Sequence, residues 1–420
     1  MTRRFDVAIV GGGPVGATLA AGLRGWSFSV VQLDPKRHGG EGADGRSFAL
    51  SYGSAGLYRT LGLWEEVGCG ATPIEEVHVS RRGGLGFVRI RAEECGVDAL
   101  GYVVSARSLE RRLDRALDTD AGTAGARFER ICAAADAVEV RRRDALVSGR
   151  GPEGNVTFAA RLVIGADGAG SVVRRAAGLA LRTHRSGQVA VAGELAAERP
   201  PRGRAFERFT EHGPLALLPL GEDRCGFVWA VRESETTGAE FEPSRFAAEL
   251  AEAFGSRLGE LREVNVRVRH PLRVCHAPRI AAPRTVLVGN AANTLHPVGA
   301  QGLNLGLRDV EALVRGLGEA SAAGADPASA LDRYVAARRA DHAMARSLTT
   351  GLLRIFGSGS RIPFASALGA AGLFAFDRLG PVKRGVVSLA MGASRPWPGD
   401  GHRTRAQVHP GGDGSRVRAD

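Results

Sequence analysis

The chain has 420 residues, 44% of them apolar and 24% charged, which suits a soluble globular protein with room for two domains on one sizeable core. A net charge of +11 invites a nucleic-acid partner, but Lys36 and Lys383 are the only lysines among 56 basic residues. No basic stripe is interleaved with aromatics, which make up 6% of the chain, so nucleic-acid binding is set aside. Cys69, Cys95, Cys132, Cys225 and Cys275 are scattered, with no C-x-x-C and no zinc spacing, which predicts reduced thiols and no metal site.

In chain order, residues 5–10 (FDVAIV) predict a buried strand that runs into Gly11-Gly12-Gly13-Pro14-Val15-Gly16. Gly11, Gly13 and Gly16 fill the three positions of G-x-G-x-x-G. The first permits a tight turn, the second lets backbone approach a pyrophosphate, and the third lets a helix pack close to the strand. Pro14 suits the first turn of that helix, over 14–24. A second strand over 28–33 ends at Asp34, eighteen residues after Gly16, where an acid meets a ribose hydroxyl. The ordered set predicts a dinucleotide site. Asp34 repels a 2′-phosphate, with Arg37 nearby to soften the effect, so FAD or NAD fits and the loop alone does not separate them.

Residues 1–75 and 100–180 read as alternating strands and helices. Residues 181–275 read mainly as strands, at 189–195, 204–209, 215–220, 225–231 and 264–269, with a helix over 246–254; residues 76–90 join them. At 284–288 (RTVLV) a short strand aims at Gly289, and a glycine-rich crossing leads to a helix over 302–314. A strand, a bare crossing and a helix N-terminus can hold an anion or a cofactor ring. After 310 the chain is helical, with Tyr334, Arg338, Arg339 and Asp341 on one helix. Residues 362–376 carry no charge but are fewer than the roughly 20 a bilayer span needs. Two readings follow for that run: helix packing on the nucleotide domain, or a face that touches membrane with Lys383 and Arg384 near the headgroups. The Gly-, Pro- and Arg-rich stretch 397–420 has no periodicity and predicts a disordered tail. The first strand starts four residues in, leaving no room for a signal peptide, so the expected location is cytoplasmic, with peripheral contact at the inner face of the cell membrane.

Between the two glycine-rich ends lies Arg161-Leu162-Val163-Ile164-Gly165-Ala166-Asp167-Gly168, continuing to Ser171 and Arg174. This resembles the "DG" motif of the class A flavoprotein aromatic hydroxylases, of p-hydroxybenzoate hydroxylase type, and residues 289–309 resemble their "GD" motif. Within that group the chain is most similar to the ubiquinone-biosynthesis hydroxylases, the 2-octaprenyl-6-methoxyphenol hydroxylase family. Matching stretches are 46–51 (RSFALS), 61–64 (LGLW), 100–104 (LGYVV), 207–210 (ERFT) and 213–220 (GPLALLPL). Two positions depart from the wider pattern: Asn290 stands where Asp is usual, as in some ubiquinone hydroxylases, and 299–302 reads GAQG where that group usually has AGQG.

The resemblance implies an α/β (α+β) fold: a Rossmann-like FAD-binding domain over 1–75, 100–180 and 276–350, with an inserted antiparallel substrate sheet over 76–99 and 181–275, and C-terminal helices over 351–396. It implies FAD as resident cofactor, reduced by NAD(P)H and adding O2 as a flavin C4a-hydroperoxide, with a prenylated phenol of ubiquinone biosynthesis as substrate. No metal constellation, G-x-S-x-G or Cys/His pair offers other chemistry, so the cofactor carries it. Implied cofactor contacts are Gly11, Gly13, Gly16, Asp34, Arg46, Arg107, Asp167, Gly168, Asn290, Gly302, Leu303 and Asn304, the last three through amides at the flavin N1–C2 edge. His296 and Pro297 are the candidate catalytic positions; against a base at His296 stands a loop histidine bonded to backbone. Two other readings remain: a flavin hydroxylase of a soluble aromatic, or a non-catalytic flavoprotein scaffold in a biosynthetic complex. A halogenase is disfavoured because Trp26, Trp64, Trp229 and Trp397 form no W-x-W.

Overall fold

The structure is a computed structural model that describes residues 2–35, 45–84, 86–119, 128–235 and 242–356, with Lys383, Val387, Met391 and Gly392 beyond them. Arg37, the 362–376 run, Arg384 and the 397–420 tail lie outside the described residues.

Five strands form a parallel layer: Thr285–Leu287, Gly154–Gly165, Arg3–Val10, Val30–Asp34 and Phe128–Cys132, side by side in that order. Arg3–Val10 is central and reads as a nearly continuous apolar run because both of its faces are covered. The helix Pro14–Leu23 crosses from it to Val30–Asp34 and lies against Gln301–Ala322. Small residues allow that closeness: a Cβ on Gly22 would come within 2.8 Å of Val314. A hairpin of Ala134–Val140 and Ala145–Gly151 extends Gly154–Gly165 in antiparallel fashion, where the sequence reading expected strands alternating with helices.

The second sheet has eight strands, running from Asn293–Thr294 through Leu261–His276, Arg182–Ala197, Arg224–Arg232, Pro214–Pro219, Arg204–Phe209 and Glu76–Arg81 to Phe87–Arg91. It is not wholly antiparallel, as expected from the sequence. Glu76–Arg81 joins Arg204–Phe209 in parallel, because the 76–91 hairpin enters the sheet from a different part of the chain. One face packs under the helix Pro243–Phe254, burying Phe206, Leu215, Leu217, Phe227, Trp229, Phe246 and Phe254. A small three-stranded sheet of Ser47–Ser51, Gly101–Ser105 and Thr72–Ile74 stands between the two large ones. Among the described residues no helix is long and apolar enough to cross a membrane.

Candidate functional site

Three turns converge at the carboxyl ends of the parallel strands. At the first, Gly11 has φ +114, and a Cβ there would lie 2.4 Å from Ala166 O, so the turn abuts the 165–168 turn through bare backbone. A Cβ on Gly16 would strike Gly11 O, and one on Gly12 would strike the Asp34 carboxylate. Gly13 differs: a Cβ there meets nothing within 4 Å. It caps the Pro14–Leu23 helix without a side-chain hydrogen bond, so open space faces amides that lack intrahelical acceptors. A cradle of this kind fits a pyrophosphate.

The second turn holds Asp167, whose Oδ2 accepts from the amides of Val172 (2.7 Å) and Val173 (3.3 Å). Its Oδ1 is buried with no protein partner, which leaves an acceptor for a ligand beside the glycine loop. Gly168 follows with φ +77. Arg174, buried, donates to Ala169 O (2.8 Å) and Ala291 O (3.1 Å), tying this turn to the third.

The third turn starts at Gly289, where a Cβ would touch Val15, as would one on Gly306. The two helix N-termini are thereby brought together. The Gly289 amide donates to Asp309 Oδ2 at 3.0 Å. Asp309 is fully buried and also accepts on Oδ1 from Arg338 Nε (2.7 Å) and His342 Nε2 (2.6 Å). Burial works to raise its carboxyl, but His342 and Arg338 outweigh burial and hold it at about 2. This anchor was missed from sequence, where Asp309 reads only as the end of the motif.

Asn290 is exposed, and its backbone oxygen accepts from Thr294 Oγ1 at 3.3 Å. The long helix begins at Ala300, with φ +51 and no side-chain cap, so the first-turn amides at Gly302 and Leu303 sit at an open positive dipole end. The side chain of Asn304 is buried and already occupied: it accepts from Ser51 N and Ser54 Oγ, both at 2.8 Å, and donates to Ala49 O and Ala300 O. Only the Asn304 backbone remains for a cofactor. Arg46 is exposed with its guanidinium 5.9 Å from the Phe48 ring centre, and Arg107 is exposed on the first turn of Ala106–Thr119.

His296 does not offer the free ring nitrogen a base needs. It is buried; Nδ1 accepts from Val298 N at 3.3 Å, and Nε2 is 3.2 Å from Gln188 Oε1. Burial lowers its pKa to about 4, so the ring is neutral and shapes the turn that Pro297 continues. The arrangement is that of the bonded loop histidine, the alternative to a base at this position. His296 and Gln188 lie at the wall of a cleft of about 1310 Å3 between the second sheet and the helix Leu331–Phe356, lined also by Arg182, His276, Arg346 and Arg354. Among the described residues there is no cluster of three or more His, Cys, Asp or Glu that could hold a metal.

Opposite the third turn stands the free face of the second sheet. Val79, Glu207, Ala216, Val228 and Ala192 form one row across five strands. Val79, Ala216 and Val228 are only half-buried, unlike the sealed far face. Glu207 Oε2 accepts from the Gly299 amide at 3.4 Å, and burial raises its carboxyl to about 7. Glu207 was legible only as part of a family stretch.

The family model described as "FAD binding domain" matches residues 4–348. The "Ubiquinone hydroxylase UbiL" of Rhodospirillum rubrum is 38% identical over 400 residues, covering 94% of this chain and 91% of that protein. The "3-demethoxyubiquinol 3-hydroxylase" of Escherichia coli is 32% identical, covering 92% of this chain and 98% of that one. Among solved structures, p-nitrophenol 4-monooxygenase PnpA from Pseudomonas putida DLL-E4 shares the fold, with a TM-score of 0.76 at 19% identity over 94% of this chain and 100% of that chain. With the open cradle at Gly13 and a match running nearly end to end, the chain belongs to the FAD-dependent hydroxylase family of ubiquinone biosynthesis.

Proposed function

We propose that this enzyme hydroxylates the phenol ring of a prenylated ubiquinone precursor, using NAD(P)H and O2. The observation that carries the reading is the half-open row of small apolar side chains that faces the 297–302 turn, a floor suited to one flat ring. When bound, FAD supplies the redox chemistry, taking a hydride from the nicotinamide and delivering one oxygen atom of O2 to the ring. The glycine loop at Gly11, Gly13 and Gly16 holds the pyrophosphate, Asp34 the ribose, and Asp167 and Gly168 line the same path. Asn290 offers one neutral acceptor to the ribityl chain. The amides at Gly302 and Leu303 would stabilise negative charge on the cofactor ring, with Arg46 and Arg107 as further contacts. In this reading 1–75, 100–180 and 276–350 form the FAD unit, while 76–99 and 181–275 hold substrate.

Purified protein supplied with FAD, NADH or NADPH, O2 and prenylated phenols of different chain length tests this directly. A hydroxylated product is expected; flavin binding without any product would leave the scaffold reading. The uncharged 362–376 run supports collection of the prenyl chain at a membrane face. Leu373→Asp with Phe374→Asp is then expected to lower liposome co-sedimentation and long-chain turnover while sparing a short soluble phenol. Joint failure of both substrates with loss of FAD would make that run core packing.

A further inference from the structure

Glu207 is the one ionisable side chain in its row. Directly opposed residues on neighbouring strands point to the same face, so it shares a face with Val79, Ala216, Val228 and Ala192. Its chain neighbours point through the sheet: Phe206 joins the cluster under the helix, and Arg208 donates to Ala253 O and Ser80 Oγ. Two residues away on either side, Ala205 and Phe209 return to the face of Glu207. Ala205 packs with Leu100, Val103 and Leu218, and Phe209 packs with Val88 and Val298. The carboxylate therefore leaves the sheet between two dry patches and projects at the turn that follows His296. Its bond to the Gly299 amide is long, at 3.4 Å, and nothing else in the site needs it there. The side chain is half-buried on this apolar face, where an apolar residue would pack better, because a carboxylate drawn out of water costs free energy unless it is well paired.

We propose that Glu207 is the base that removes the hydroxyl proton of the substrate phenol, a role that rests on the aromatic-hydroxylase reading above. The step moves one proton. The phenol O–H bond breaks, an O–H bond forms on the carboxylate, and the electron pair left on oxygen enriches the ring at the carbon that accepts oxygen. No oxidant takes part in this step, and the proton afterwards returns to the product or passes to solvent.

The surroundings suit that task. Val79 and Ala216 flank the carboxyl on its own sheet, Val298 and the Gly299 amide face it from the turn, His296 is neutral and turned to Gln188, and Arg208 lies on the far side. Burial raises the carboxyl to about 7, with the Gly299 bond opposing, so both protonation states are populated near neutrality. General bases work best when poised close to the operating pH.

The test uses the FAD-loaded full chain with a short-chain phenol, measuring product formed per NAD(P)H consumed, peroxide release and kcat/KM across the neutral pH range. The parent should show an acid limb in kcat/KM near pH 7. Glu207→Gln should keep its FAD and consume NAD(P)H, but hydroxylate on the order of 100-fold more slowly, release peroxide instead, and lose the acid limb. Glu207→Asp should keep a displaced limb at reduced rate. A Glu207→Gln enzyme with the parent's coupling and pH profile overturns the base while leaving the functional reading intact. A parent that hydroxylates no phenol overturns the functional reading, and the base with it. Should Glu207→Gln fail to fold, Glu207→Asp decides: a limb identical to the parent's overturns the proposal.

Discussion

Replacing Asp309 by Asn isolates what holds the third turn in place. The three groups bonded to the carboxylate all donate: Arg338 Nε and His342 Nε2 on one oxygen, the Gly289 amide on the other. An Asn side chain keeps one acceptor and turns an NH2 against a donor in either orientation. Keeping the Arg338 side sacrifices the Gly289 bond, and a lost hydrogen bond to a buried charged group costs roughly 1.5–3 kcal/mol. That cost falls on the turn carrying Asn290, so FAD affinity should drop about tenfold per 1.4 kcal/mol. Acid unfolding gives a second readout. The folded carboxyl titrates at about 2, below its unfolded value, so the stability it contributes is present above about pH 4 and lost as pH falls towards 2. From that difference the contribution is roughly 2 kcal/mol. Asp309→Asn should therefore be less stable at neutral pH and show a shallower decline between pH 4 and 2. Flavin titration and thermal melts across pH measure both, and an Asn variant with the parent's FAD affinity and acid slope would refute the anchor.

Gly13→Val should give a folded protein without flavin absorbance, because a Cβ there meets no protein atom within 4 Å and opens onto the proposed pyrophosphate cradle; a retained flavin spectrum would move the cofactor elsewhere. Asn290→Asp should keep FAD, since a carboxylate accepts the same hydrogen bond, while Asn290→Leu should weaken it by on the order of 1–3 kcal/mol. Equal affinity in the Leu variant and the parent removes Asn290 from the site. Arg182→Glu tests whether the cleft lined by Arg182, Arg346 and Arg354 takes the anionic nicotinamide dinucleotide: the KM for NAD(P)H should rise several-fold with FAD titration unchanged, and an unaltered KM would exclude it.

The glycine loop was legible because Gly11 and Gly16 answer backbone demands no other residue meets: Gly11 needs φ +114 and contact with Ala166 O, and Gly16 needs room against Gly11 O. Such demands are local. The strand Arg182–Ala197 was read only from residue 189, because its first half is exposed and its apolar alternation begins at Val189. The Asp309 anchor escaped because Arg338 and His342 look like the solvent face of a helix until another helix covers them. His296 was ambiguous for a related reason: its role depends on Gln188, 108 positions away. Glu207 acquires its chemistry from Val79, Ala216 and Val298, each on a different element. Periodicity in one segment carries no information about such partners.

Both glycine amides at the ends of the third turn are held by carboxylates, and the two differ in kind. Asp309 grips Gly289 from a fully buried site with Arg338 and His342 as partners, so it stays charged throughout the neutral range. Glu207 grips Gly299 from an apolar face without a cation, so it titrates near neutrality. Environments that push two carboxyls apart in this way assign them different tasks. A permanent charge suits the end of the turn beside the glycine loop, where the nucleotide must stay in register through every cycle. A carboxyl that takes and gives up a proton suits the end facing the ring floor. There the Gly299 bond is already long, and a phenol hydroxyl can replace it at little cost. In the proposed function the Gly289 end holds the cofactor while the Gly299 end yields to substrate.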